Sequence, residues 1–128
     1  MRVSTAARVD LTVQNNAYWT DAFQFGVAGD TSWSFTNQKF EMDVKCNRFD
    51  ATPLFQLQTA NGRIVVDDAV NRVLHFYCVD TDVSGSLPVT DDCEPYVYDL
   101  VMVDNTTGTR VPLMTGKVFV TQGVTGDS

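Results

Sequence analysis

Histidine occurs once in this chain of 128 residues, at His75, and cysteine three times, at Cys46, Cys78 and Cys93. A lone histidine leaves no partner for a His-based ligand cluster, and any nucleophile relay would have to be built on it alone. His75 lies between Leu74 and Phe76 in an apolar, β-prone stretch, where the expected role is a packed or cross-strand side chain. The cysteines are odd in number and scattered, with no C-x-x-C, so neither a disulfide framework nor a zinc site follows from them. They read as small apolar fillers in a reducing cytosol. A Cys78–Cys93 bond, or one between copies, is the alternative.

Other absences narrow the function further. The chain contains no G-x-S-x-G, phosphate loop, H-E-x-x-H or G-x-G-x-x-G. The longest apolar run, Tyr96 to Val103, is broken by Asp99 and falls far short of the ~20 residues that cross a bilayer. The opening MRVSTAARVDLTV has no apolar core of the kind a signal peptide carries, so no secretory leader is expected. Basic residues are scarce, 9 Lys and Arg against 16 Asp and Glu, giving a formal net charge of -7. Such a surface repels phosphate backbones and anionic headgroups, and neither nucleic acid nor membrane is an expected partner. No enzyme activity and no cofactor are expected.

What the chain does contain is β structure. Its 44% hydrophobic and 11% aromatic content can fill one core, and its length suits a single domain over 1–128. No window carries helical periodicity, whereas alternation of period two recurs throughout. Leu11 and Val13, Phe23 and Phe25, and Phe40, Met42 and Val44 each alternate with polar neighbours. Leu54 to Thr59 and Arg63 to Asp67 flank Ala60-Asn61-Gly62, a turn signal that predicts a hairpin. Asn71 to Asp80 predicts a central strand with Leu74, Phe76 and Cys78 on one face and Val73, His75, Tyr77 and Val79 on the other. Thr81 to Pro95 reads as a loop with room for one helical turn. Tyr96 to Asp104 and Arg110 to Thr121 form the closing strands around a turn at Asn105 to Gly108. The pattern predicts an all-β, immunoglobulin-like antiparallel β-sandwich of about 8–9 strands.

Two segments carry residue types suited to ligand chemistry. Asp80-Thr81-Asp82-Val83-Ser84-Gly85 meets the calcium-loop pattern in part, but Ser84 stands where an acid or amide belongs, and a solvated loop is the expected reading. Trp19, Trp33, Tyr18, Tyr96 and Tyr98 could stack on sugar rings, which makes a carbohydrate-binding module the alternative function. Packing in the core or against a partner is the expectation for them.

The order of motifs resembles a known group. Asp10-Leu11-Thr12-Val13, Trp19 to Phe25, and Trp33-Ser34-Phe35 precede Phe40-Glu41-Met42-Asp43-Val44-Lys45, which resembles an F-x-M-x-V-R strand. Leu57 to Ile64 resembles L-x-T-x-x-G-x-I, Tyr96 to Leu100 resembles Y-x-Y-D-L, Leu113 to Val118 resembles L-x-x-G-x-V, and Gly123-Val124-Thr125 resembles a common ending. These are motifs of the small β-sandwich domains encoded among phage and prophage tail genes, similar to the N-terminal part of phage baseplate upper proteins. Asp30-Thr31-Ser32-Trp33 departs from the group's D-L-T-G, and the segment 80–95 is longer and more acidic. The resemblance implies a bacteriophage virion structural protein of the tail, baseplate or neck, assembled in the host cytoplasm, that anchors or adapts fibres or spikes. Its implied partners are other phage structural proteins and further copies of itself in a ring or trimer. Short arms at 1–9 and 122–128 would order on a neighbour. The interface candidates are Arg2 and Val3 in the first arm, Val124 in the last, and the aromatics Trp19, Trp33 and Phe35.

Overall fold

The alternating stretches form nine strands and one short helix in the computed structural model, which describes residues 7–15, 17–26, 32–87, 93 and 95–121. The strands are β1 (Ala7–Arg8), β2 (Leu11–Gln14), β3 (Ala22–Gln24), β4 (Gln38–Lys45), β5 (Phe55–Gln58), β6 (Ile64–Asp68), β7 (Val73–Phe76), β8 (Tyr96–Asp104) and β9 (Arg110–Thr121). Helix α1 (Asp80–Ser86) lies between β7 and β8. A larger sheet runs β1-β9-β8-β4-β5 with β2 also on β9, and a smaller one runs β3-β7-β6. In chain order these are the B-E-D and C′-C-F-G sheets of a variable-type immunoglobulin sandwich. The first strands, β1 and β2, ride on the last strand, and in parallel. The expected sandwich is therefore antiparallel except along this ladder.

Burial explains why the strands face as they do. Phe40, Met42, Val44, Leu57, Leu100 and Val118 on the large sheet, and Leu74 and Phe76 on the small one, are fully buried. Each such side chain contributes about 1.5–3 kcal/mol relative to exposure. A register shift lets Leu100 pair with Met114 and Val101 with Pro112, leaving Leu113 as the extra residue of a bulge. Consequently Leu113 and Met114, though adjacent, are both buried. Pro112 sits at this irregularity, where a missing N–H is tolerated.

The parallel ladder depends on one glycine. Val9 passes so close over Gly116 that an added Cβ would overlap the Val9 carbonyl. Tyr98 Oη donates to that carbonyl at 2.6 Å, and the Lys117 N–H donates to Asp10 Oδ1 at 3.0 Å. Ala7 and Arg8 are thus docked on β9, so the expected first arm does not stay free up to Val9.

Three expectations are corrected. Asn61-Gly62 does form a turn, with Gly62 at φ +80°, but β5 and β6 enter different sheets and do not pair as a hairpin. The reason lies on the free edge of β5. Asn61 Oδ1 accepts from the Gln58 N–H, while Asn61 Nδ2 and Arg63 Nη1 both donate to the Gln56 carbonyl. Side chains thereby take the edge groups that a hairpin partner would use. Next, the strand expected over Asn71 to Asp80 is cut to Val73–Phe76. Arg72 takes φ +61° before it, Cys78 keeps one isolated bridge to Trp19, and the chain turns helical at Asp80. That helix buries Val83, and Leu87 just past its end is buried one turn on, which anchors it. Finally, Cys46 is bonded to Cys93, so neither the all-thiol reading nor the Cys78–Cys93 alternative holds. Only Cys78 is a buried filler, and desolvation pushes its thiol up to about 12.

Candidate interaction surfaces

The outer face of the large sheet is charged and concave. Alternation turns Phe40, Met42 and Val44 inward and leaves Lys39, Glu41, Asp43 and Lys45 outward along β4. Glu41, Asp43, Lys45, Arg48, Val97, Asp99, Val101 and Arg110 share the lining of a cavity of about 210 Å³. Asp43 and Asp99 stand directly opposite each other on β4 and β8. Like charges so placed repel. Gln56 Nε2 donates to Asp43 at 3.1 Å and Thr115 Oγ1 to Asp99 at 2.6 Å, and Arg110 pairs with Glu41 at 3.1 Å. Lys117 is the register partner of Val97 on this same face. Among the described residues, Lys39, Lys45, Arg48, Arg110 and Lys117 share the face with Glu41, Asp43 and Asp99; Arg8 is the register partner of Thr115, Asp10 accepts from the Lys117 N–H, and Asp50 closes the Arg48 loop. A chain with net charge -7 thus gathers most of its 9 Lys and Arg residues at one face.

Next to the cavity-lining Arg48 in the chain, Phe49 is 88% exposed in the connection from β4 to β5. Its loop is tied at several points. The Asn47 N–H donates to Asp50 Oδ2 and the Phe49 N–H to Asn47 Oδ1, at 3.0 and 3.1 Å. The Asp50 N–H returns to the Asn47 carbonyl at 3.0 Å, and Cys46 is bonded to Cys93. A large apolar ring in water is thus held on an ordered loop.

The outer face of the small sheet has a different character. Val65 and His75 are cross-strand partners, and His75 stacks on Tyr77 with ring centroids 4.2 Å apart. Tyr77, Val79 and Tyr18 are exposed, at 46%, 42% and 64%. Asp67 Oδ2 lies 3.1 Å from His75 Nδ1, and Asp82 is paired with Arg63 at 2.9 Å. Asp80 follows Val79 directly, so acids border an apolar patch.

The expected interface residues fall into three groups. Arg2, Val3 and Val124 lie outside the described residues. Trp19 and Phe35 are core rather than interface: Trp19 is 3% exposed, edge-on to Phe76, with its indole N–H on Asp21, and Phe35 packs on Phe40 at 4.6 Å. Trp33 is half-buried beneath the Arg72 guanidinium, 5.1 Å from its ring. Arg72 is wholly buried and donates to the carbonyls of Phe25, Trp33 and Val70 at 2.7 to 3.0 Å. It joins the end of β3 to the approach to β4. Of the five aromatics weighed as sugar platforms, Trp19, Tyr96 and Tyr98 are buried and Trp33 is covered, leaving Tyr18 exposed. Phe49 was missed because a single Phe in a polar loop has no periodicity to mark it.

No protein-family model and no curated protein matches this sequence.

Proposed function

We propose that this chain is a bacteriophage virion structural subunit of the tail, baseplate or neck, which acts by holding other protein chains, fibres or spikes among them. The observation that carries the protein-contact part is Phe49. An aromatic 88% exposed on a tied loop, one residue from a side chain that lines a cavity ringed with charge, fits a central anchor surrounded by polar contacts. The order of sequence motifs supports the phage part. The Cys46–Cys93 bond suits a component assembled in the host cytoplasm whose working life follows release, since disulfides persist outside the reducing cytosol.

The test is light scattering of the purified chain, alone and mixed with candidate tail, baseplate and neck proteins. A stoichiometric complex that weakens with Phe49→Ala is the expected result. A chain that ignores every candidate yet binds on a glycan array through Tyr18 would overturn the proposal.

A further inference from the structure

We infer that copies of this chain associate head to tail, the outer face of the large sheet in one copy docking on the outer face of the small sheet in the next. The inference rests on the assembly reading and names its first partner, a second copy of the chain. The two faces lie on opposite sides of the sandwich and differ in kind. One carries Lys39, Lys45, Arg48, Arg110 and Lys117 beside the exposed Phe49. The other presents Tyr18, Val65, Tyr77 and Val79 with Asp67 and Asp80 at its border.

Complementarity in both charge and apolar surface selects this pairing over the alternatives. Two small-sheet faces would bring Asp67 and Asp80 together, and two large-sheet faces would oppose their gathered cations, whereas one of each matches cation to carboxylate and Phe49 to the Tyr-Val patch. Such a contact is heterologous: each copy offers a different surface to each neighbour. It closes into a ring if the rotation between copies closes, and extends as a stack if it does not.

Sedimentation velocity on the full chain under non-reducing conditions tests this, with two variants first shown to melt cooperatively. Lys45→Glu with Arg48→Glu disables the large-sheet face, and Asp67→Lys with Tyr77→Lys disables the small-sheet face. Wild type is expected to self-associate, more weakly at high salt. Each variant alone should lose that association by roughly tenfold or more. Their mixture should form a dimer that grows no further, because one intact face of each kind remains. Phe49→Ala should weaken wild-type association while leaving the fold intact. Wild type that stays monomeric at low salt, or a mixture that stays monomeric, overturns the inference. If that monomer still captures another phage protein, the assembly reading survives without it. If it captures none, both fall.

Discussion

Opening the Cys46–Cys93 bond should produce a large and calculable loss of stability. The bond joins residues 47 apart in sequence. Closing a loop of that length removes unfolded-state entropy equivalent to about 4 kcal/mol at room temperature. Unfolding entropy of ~2.1 cal/mol/K per residue, summed over this chain, gives ~0.27 kcal/mol/K, so the loss corresponds to a fall in Tm of about 15 °C. The structural setting supports an effect of that size, because the bond ties the end of β4 to the approach to β8, two neighbours in the large sheet. The assay is thermal unfolding by circular dichroism of the oxidised chain, the reduced chain and the Cys46→Ser, Cys93→Ser double variant. Cys78 should not scramble the result. In the folded chain burial pushes its thiol up to about 12, and melting at acidic pH keeps it protonated once unfolding exposes it, because exchange requires the thiolate. A Tm that falls by less than about 4 °C in both the reduced and the double-variant protein would refute the loop-closure reasoning. Alkylation of all three thiols without reductant would remove its premise.

Three further outcomes follow from packing and charge. Gly116→Ala places a Cβ on the Val9 carbonyl; the first strands should lift from β9, with a loss of about 1–3 kcal/mol and faster amide exchange at residues 11–14. Arg72→Leu strips its buried donors from the carbonyls of Phe25, Trp33 and Val70; a loss of about 3 kcal/mol or more should appear in urea unfolding, with a changed Trp33 fluorescence. Asp68 and Asp104 are held below the ordinary carboxylate value of 3.8, chiefly by hydrogen bonds from Asn71 and from the Thr107 and Thr106 N–H groups respectively. Their folded-state pKa is depressed, so their contribution is complete above pH 3.8 and lost as pH falls below it through the lowered values. Urea midpoints measured from pH 6 to pH 2 should fall over that acid range, less steeply in Asp68→Asn and Asp104→Asn.

Strand existence was legible because burial of one face writes itself into alternate positions. Phe40, Met42 and Val44 announce β4, and Tyr96, Tyr98 and Leu100 announce β8, with no reference to any other part of the chain. The same logic grouped Leu74, Phe76 and Cys78 on one face, and the structure buries that face. That logic failed where a residue's role is set by something distant in sequence. Trp19 and Phe35 were expected at an interface, yet Trp19 bridges Cys78 and Phe35 donates its N–H to the Ala69 carbonyl. Asn61-Gly62 promised a hairpin, but two side chains sealed the edge that β6 would have joined.

The candidate surfaces follow the same division. Composition already carried the acidity of the chain, and alternation already turned Lys39, Glu41, Asp43 and Lys45 to one side of their strand. That these meet Asp99, Arg110 and Lys117 depends on β8 and β9 lying beside β4, which strand patterns alone leave open because any two amphipathic strands can pair. By itself, the sequence determined an all-β chain, its inward faces and its net charge, since each is a local or summed property of the residues. Only the tertiary structure decided the Cys46–Cys93 bond, the parallel first strands over Gly116 and the cation-rich face beside Phe49. Each of these depends on which distant segments become neighbours, and that choice is made by packing of the whole core at once.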